Sequence, residues 1–429
     1  MAESDVLAER AARYHDEIMD IACGPGGILI AFPRFDTRKP FREGETYPGL
    51  WNVEETIEGA WSAYGPKPTA AEFLYGENTL WATGWFLWSQ ILRHRATQQP
   101  EARETARKCF RDLNYLFKLC GELEPGLLGK PHGGRAGPNT SFDQSACPVA
   151  FYAAYAQELA TPEEKAQAAE NLRQHGHYYL RRNWVLNLFG ILHRIVEPPA
   201  SVSVMKYLAC MYAAYELTGE TEFRDEVFKH LREIIPMLPF PTNPYPTCHN
   251  LYYWALLCEF WSRTEIGDEA DWIGYIGEYW KAARAARDSE GLSLAGYYDT
   301  EDGSFTPYPN RWLTHEDSKS NAPWGGKWGH APEKEGVRTW VSATNMNNRA
   351  LCSAMFAALG LLARSHGHDD DAHLLARQTL MRMDADSLRW WWDDGNLPDE
   401  LKGLHNIFAP EVAGVWQVAY WMGASQGVW

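Results

Sequence analysis

The chain has 429 residues, with 40 Lys+Arg against 56 Asp+Glu and a formal net charge of −16. At 45% hydrophobic and 22% charged it can build a large buried core, which excludes a disordered chain. The acidic balance disfavours a nucleic-acid backbone or an anionic membrane as partner, and no uninterrupted apolar run approaches the length of about 18 residues that a membrane span needs.

The predicted elements are almost all helical. Periodic apolar positions place helices at 3–22, 74–97, 100–122, 142–160, 162–182, 201–218, 221–236, 248–264, 268–287, 344–365, 370–385 and 409–424. Their character alternates. EARETARKCFRDLNYLFKLC and TPEEKAQAAENLRQHGHYYL carry a charged face and read as outer helices, whereas SVSVMKYLACMYAAYELTG and ATNMNNRALCSAMFAALGLLA are apolar nearly all round and read as buried ones. Links after the buried helices are short, and links after the charged ones are mostly long, notably 23–73, 123–141 and 288–343. Short links join antiparallel neighbours. The expected architecture is therefore all-α: six outer–inner hairpins closing into an (α/α)6 toroid, with the long loops on one face. Length alone leaves room for about three domains, but the alternation runs unbroken, so residues 1–429 are expected to form a single toroidal domain.

Twenty Trp, 21 Tyr and 17 Phe make the chain 14% aromatic. Many of these rings fall on buried helices and are core. The tryptophans of the 297–340 segment, Trp312, Trp324, Trp328 and Trp340, do not, and Trp324 and Trp328 are candidate platforms for sugar rings. Eight scattered cysteines without a CxxC pair read as free thiols in a reducing compartment. The start, MAESDVLAERAARYHDE, has no leader pattern, so a cytoplasmic location is expected.

Two segments carry a likeness to known enzymes: ENTLWATGWFLWSQILRHRAT and PGLLGKPHGGRAGPNTSFDQSACPVAFYAAY. With the hairpin order they resemble (α/α)6-toroid carbohydrate-active enzymes, among them unsaturated glucuronyl and rhamnogalacturonyl hydrolases and β-glucuronidase-like families. The resemblance covers nearly the whole chain. It implies a carboxylate at the start of an inner helix working at a glycosidic bond, and Asp143 fits that description.

Toroid geometry would gather the starts of the inner helices, and these are unusually polar. Asp143, Glu77 and Glu411 are the candidate catalytic carboxylates; glycoside hydrolysis commonly uses two. Each has a plainer alternative. Asp143 and Gln144 follow Ser141 in a capping-box pattern, Glu77 can cap, and Glu411 follows Pro410 in a first helical turn. The loop GKPHGGRAG sets Lys130, His132 and Arg135 among glycines and suits the carboxylate of an acidic sugar. Gln144, His193, Arg194, His249, Asn250, Asn345, Asn348 and Arg349 complete the candidate substrate contacts. The His366–His373 stretch resembles a metal cluster but falls in a short link and reads as a solvated turn. No HExxH, P-loop, dinucleotide fingerprint or GxSxG motif is present, so neither a metal nor a nucleotide cofactor is expected.

The expected function is an exo-acting glycoside hydrolase releasing a sugar, such as the uronic acid glucuronate, from an oligosaccharide. A polysaccharide lyase acting by β-elimination is the first alternative. A sugar 2-epimerase and a non-catalytic carbohydrate-binding protein follow.

Overall fold

The computed structural model describes residues 3–24, 27–45, 68–132, 135–188, 191–196, 202–240, 248–299, 303–325, 331–344, 349–392 and 397–429. These fall into two compact units, Met1–Pro236 with Asn406–Trp429, and Met237–His405.

In the first unit, α1 (Glu3–Glu17) runs into a π turn at Ile18–Ala22; then come α2 (Ala70–Gly76), α3 (Thr79–Thr97), α4 (Pro100–Gly121), α5 (Phe142–Glu158) and α6 (Pro162–Arg181). A hairpin of β1 (Val185–Leu188) and β2 (Ile191–Arg194) precedes α7 (Val202–Thr218) and α8 (Thr221–Ile234). The unit's last helix is far along the chain and is described below as α14.

The second unit begins with α9 (Cys248–Trp261) and α10 (Trp272–Ala285), followed by β3 (Gly296–Tyr298), β4 (Phe305–Pro307), β5 (Arg311–Thr314), a short α11 (His315–Ser318) and β6 (Arg338–Val341). Helices α12 (Arg349–Ser365) and α13 (Ala372–Arg382) end it, and α14 (Pro410–Ser425) returns to the first unit. All twelve expected helices are present. Among the described residues no helix is long and apolar enough to cross a membrane.

The sorting of helices follows their sequence pattern. On α4, Ala102, Ala106, Cys109, Phe110, Leu113, Leu116, Phe117 and Cys120 are buried at helical spacing, and Pro100 sits at the first turn, where its missing N–H costs nothing. Helix α6 starts with a complete capping box between Thr161 and Glu164. By contrast α3, α12 and α14 are buried on nearly every side. In the first unit α14 packs on α3, α3 on α5, and α5 on α7, while α4, α6 and α8 lie against α3, α7 and α7 in turn. In the second unit α9 packs on α10 and α12, and α12 on α13. Helices α3 and α5 approach closely at Gly84: a Cβ there would lie 2.8 Å from Pro148 Cα.

Two expectations need correction. The helix predicted over 74–97 is two helices with a break at Glu77–Asn78, where Asn78 leaves helical geometry (φ −109°, ψ 12°). Gly76 lies against the 123–141 loop so tightly that a Cβ would stand 2.7 Å from Pro131 O. The long 183–200 and 288–343 links are not structureless either. The first forms β1–β2, pairing Leu186 with His193; the second forms β3–β4 and β5–β6. Around these last hairpins Ala295, Tyr297, Tyr308, Leu313, Ala331 and Val341 build a small apolar core of their own.

Candidate active site

The break between α2 and α3 is built from its residues upward. Thr69 and Glu72 form a capping box that starts α2: Glu72 N donates to Thr69 Oγ1 (3.2 Å), and Thr69 N to Glu72 Oε2 (2.9 Å). Seven residues later the chain meets the Pro131 backbone and bends, which leaves Glu77 pointing inside the protein with only 2% of its surface exposed. The 123–141 loop supplies its partners. Lys130 N donates to Asn139 O (2.8 Å), closing that loop on itself, and Lys130 Nζ forms a buried ion pair with Glu77 Oε1.

His132 completes the cluster. Its ring stacks on Phe73, with centroids 4.8 Å apart and planes 15° apart, and Nδ1 lies 3.3 Å from Phe73 O. That carbonyl can only accept, so Nδ1 carries the proton and Nε2 faces Glu77 Oε2 at 3.8 Å. Burial, reinforced by the Lys130 charge, holds the imidazole down at about 3, so it is neutral at ordinary pH.

A second link ties this cluster to the start of α5. Gln144, 1% exposed, donates through Nε2 to Asn78 Oδ1 (2.6 Å) and accepts from Trp81 N (3.3 Å). Trp81 N is one of the first-turn donors of α3 that no helical carbonyl can reach. Gln144 thus serves α3, and Ser141 stands at the N-cap of α5 with no side-chain cap bond. The capping box expected between these two residues does not form. Tyr207 of α7 donates to Ser141 O (3.3 Å), and Thr140 N donates to Asn187 O of β1 (3.2 Å), so α7 and the β1–β2 hairpin also meet the start of α5.

The expected site residues distribute as follows. Glu77, Lys130, His132 and Gln144 come together in the first unit. Lys130 does not stand open toward solvent; its ammonium sits on Glu77. Arg135, half exposed, pairs with Glu72 at 2.7 Å. Asp143 is the second residue of α5, and its side chain lies outside the described residues, as do those of His193 on β2 and His249 on α9. Trp328, Asn345 and Asn348 also lie outside them. Glu411 lies in the first turn of α14, as its position after Pro410 suggests, and is fully buried there. Arg194 is exposed on β2, 3.4 Å from Asn183 Oδ1.

In the second unit, Arg349 opens α12 in an ion pair with Asp288 Oδ2, and its guanidinium lies 5.5 Å from the Trp392 ring centre. Asp288 Oδ1 accepts from Glu290 N and Leu292 N, so this pair organises a turn. Asn250 is buried on α9, its Nδ2 without a hydrogen-bond partner among the described residues. Trp324 is half-buried, packed against the small core of the 288–343 segment. Phe73, Asn139 and Asn187, which help to frame the site, were missed by sequence reasoning. Asn139 alone carried a signal, as a polar residue just ahead of an apolar helix.

Metal-ligand spacing occurs elsewhere. Among the described residues, His177, Glu220 and Glu222 bring donor atoms within 4.8 Å of one another. Both imidazole nitrogens already face carboxylates, Nε2 at 3.0 Å from Glu220 and Nδ1 at 3.3 Å from Glu222. In the 366–373 stretch, His368 Nε2 contacts Ile273 O (2.7 Å), His373 Nδ1 contacts Asp370 O (2.8 Å), and Asp369 accepts from Trp280 and Arg284, so these side chains do not converge.

No family model matches the chain, and no curated protein is similar to it in sequence. Solved structures are similar in fold. One is a D-mannose isomerase, with TM-score 0.52 and 12% identity over 100% of this chain and 98% of the other. Another is a possible member of the GH105 family from Salmonella enterica serovar Paratyphi A, with TM-score 0.51 and 10% identity over 100% of this chain and 96% of the other. At such identities the likeness shows the fold alone, the all-α (α/α)6 toroid expected from the hairpin order.

Proposed function

We propose that the protein is a carbohydrate-active enzyme, specifically an exo-acting glycoside hydrolase that works on an oligosaccharide within one toroidal catalytic domain. The observation that carries this reading is the buried Glu77–Lys130 pair with neutral His132 beside it, joined through Asn78 and Gln144 to the start of α5. A buried ion pair is poor value as a stabiliser, because removing two charges from water offsets most of their attraction. Where such groups cluster with a perturbed titration, a functional role is the better explanation.

Asp143 and Glu77 are the proposed catalytic carboxylates. Asp143, in the first turn of α5, lies where the helix dipole favours an anion, and Glu77 has an ammonium against it; both settings suit a base or nucleophile. The proton donor needs a desolvated carboxyl, and Glu411, with no exposed surface, meets that condition. Lys130 and Arg135 are engaged by Glu77 and Glu72. The uronate-holding role expected of them would require these pairs to be shared with the sugar, so the substrate panel has to include neutral and uronic acid glycosides. The other expected sugar contacts remain proposals within this reading.

The test is release of reducing sugar from that panel by the wild type and by Asp143→Asn. Near-total loss of turnover with an unchanged melting transition supports the reading; wild-type turnover removes Asp143 from the mechanism. A second reading, an aldose–ketose isomerase, is favoured by the neutral imidazole 3.8 Å from Glu77, since moving a proton between adjacent carbons needs a base and an acid at close quarters. It predicts interconversion of free sugars with no glycosidic cleavage. A lyase would instead yield an unsaturated, ultraviolet-absorbing product.

A further inference from the structure

The segment that follows α1 carries a contact that the proposed reaction does not use. Lys108 Nζ of α4 lies 2.9 Å from Cys23 Sγ, and that sulfur also reaches Gly27 O at 3.3 Å. Gly27 has φ +94°, and a Cβ there would stand 2.8 and 2.9 Å from the two Asp112 carboxylate oxygens and 3.0 Å from Lys108 Cε. Only glycine leaves room for all three groups. Asp112 follows Lys108 by one helical turn and is 6% exposed. Burial pushes its carboxyl up to about 7, against the pull of Lys108. Cys23 itself is partly exposed, so small oxidants reach it, whereas neighbouring Cys109 is buried and its thiol is held well up by burial. A thiol beside a lysine and open to solvent is the kind that oxidises selectively.

We propose that Cys23 and Lys108 form a modification site, closing in the presence of dioxygen to a covalent N–O–S cross-link. The Lys108 ammonium first gives a proton to solvent. The S–H bond, one N–H bond and the O–O bond then break; one oxygen bridges sulfur and nitrogen, and the other leaves as water with the two hydrogens. Sulfur and nitrogen together lose four electrons, and dioxygen takes up four. The present separation leaves room for one inserted oxygen, whereas a direct S–N bond would require the two atoms to close much further. The cross-link would fasten the 23–31 segment to α4. Ala31 N of that segment donates to Tyr75 O (3.0 Å), two residues before Glu77, so the fastening bears on the wall of the proposed site.

The experiment is intact mass and peptide mapping of the full chain after incubation in air-saturated buffer and after dithiothreitol. The proposal expects a gain of one oxygen less two hydrogens, about +14 Da, carried by a linked pair of peptides containing Cys23 and Lys108 and reversed by the reductant. Cys23→Ser and Lys108→Arg should each abolish it. Oxygen added to Cys23 alone with Lys108 unmodified, or no linked peptide in the wild type, overturns the proposal whatever the variants do.

Discussion

Lys130→Met tests the buried pair at the centre of the proposed site. Glu77 and Lys130 are each 2% exposed, so solvent cannot take over the role of a missing partner. Removing one member of such a pair leaves a buried charge without its counter-ion and costs about 3–5 kcal/mol, whereas replacing both by neutral groups of similar size is close to neutral. Lys130→Met and Glu77→Gln are therefore each expected to lower unfolding stability by about 3 kcal/mol or more, and the double variant to recover most of that loss. Urea unfolding at fixed pH measures it, with an unchanged slope showing that the folded state is still compact. The same variant moves His132: with the neighbouring cation gone, its imidazole should titrate above its present value of about 3, which NMR can follow. Single variants that each cost less than about 1 kcal/mol, or a double variant that is merely additive, would refute the idea of a coupled buried pair.

Three further predictions concern the same unit. Asp112 binds its proton more tightly when folded, at about 7 against the ordinary 3.8, so the folded state holds the extra proton between those values. Stability should accordingly fall as pH rises from about 4 to about 7, and Asp112→Asn should flatten that slope in denaturation curves taken across the range. Gly76→Ala places a methyl 2.7 Å from Pro131 O, and overpacking of this kind costs about 1–3 kcal/mol; a melting point unchanged from wild type would mean the loop gives way freely. Gln144→Leu strips a buried partner from Asn78 and from Trp81 N and should cost about 1–3 kcal/mol, with turnover reduced as the starts of α3 and α5 lose their link.

The helices were legible because their pattern is redundant: eight buried apolar positions on α4 repeat at helical spacing, and α3, α12 and α14 are buried on nearly every side. The break at Glu77–Asn78 was not, because apolar periodicity continues through it and its cause, the Pro131 backbone against Gly76, comes from a separate segment. The hairpins were missed for a related reason. Strands of three or four residues give too few alternations to register, and those of the 288–343 segment are held by a small core that the loop makes for itself. At the site, residue types were readable and partnerships were not. Lys130 and Arg135 stood out as cations in an acidic chain, but that Glu77 and Glu72 would claim them depends on how the 123–141 loop lies over α2. Gln144 was readable as a polar residue at a helix start, but its bonds to Asn78 and to Trp81 N join two separate helices and left no local signal.

The most direct measurement is a crystal structure of the protein soaked with an oligosaccharide that it turns over, or with an unreactive thio-linked analogue. The account predicts a sugar whose glycosidic atom lies within hydrogen-bonding reach of Asp143 and of a second carboxyl group, Glu77 or Glu411. A sugar bound with neither Asp143 nor Glu77 in contact would contradict it.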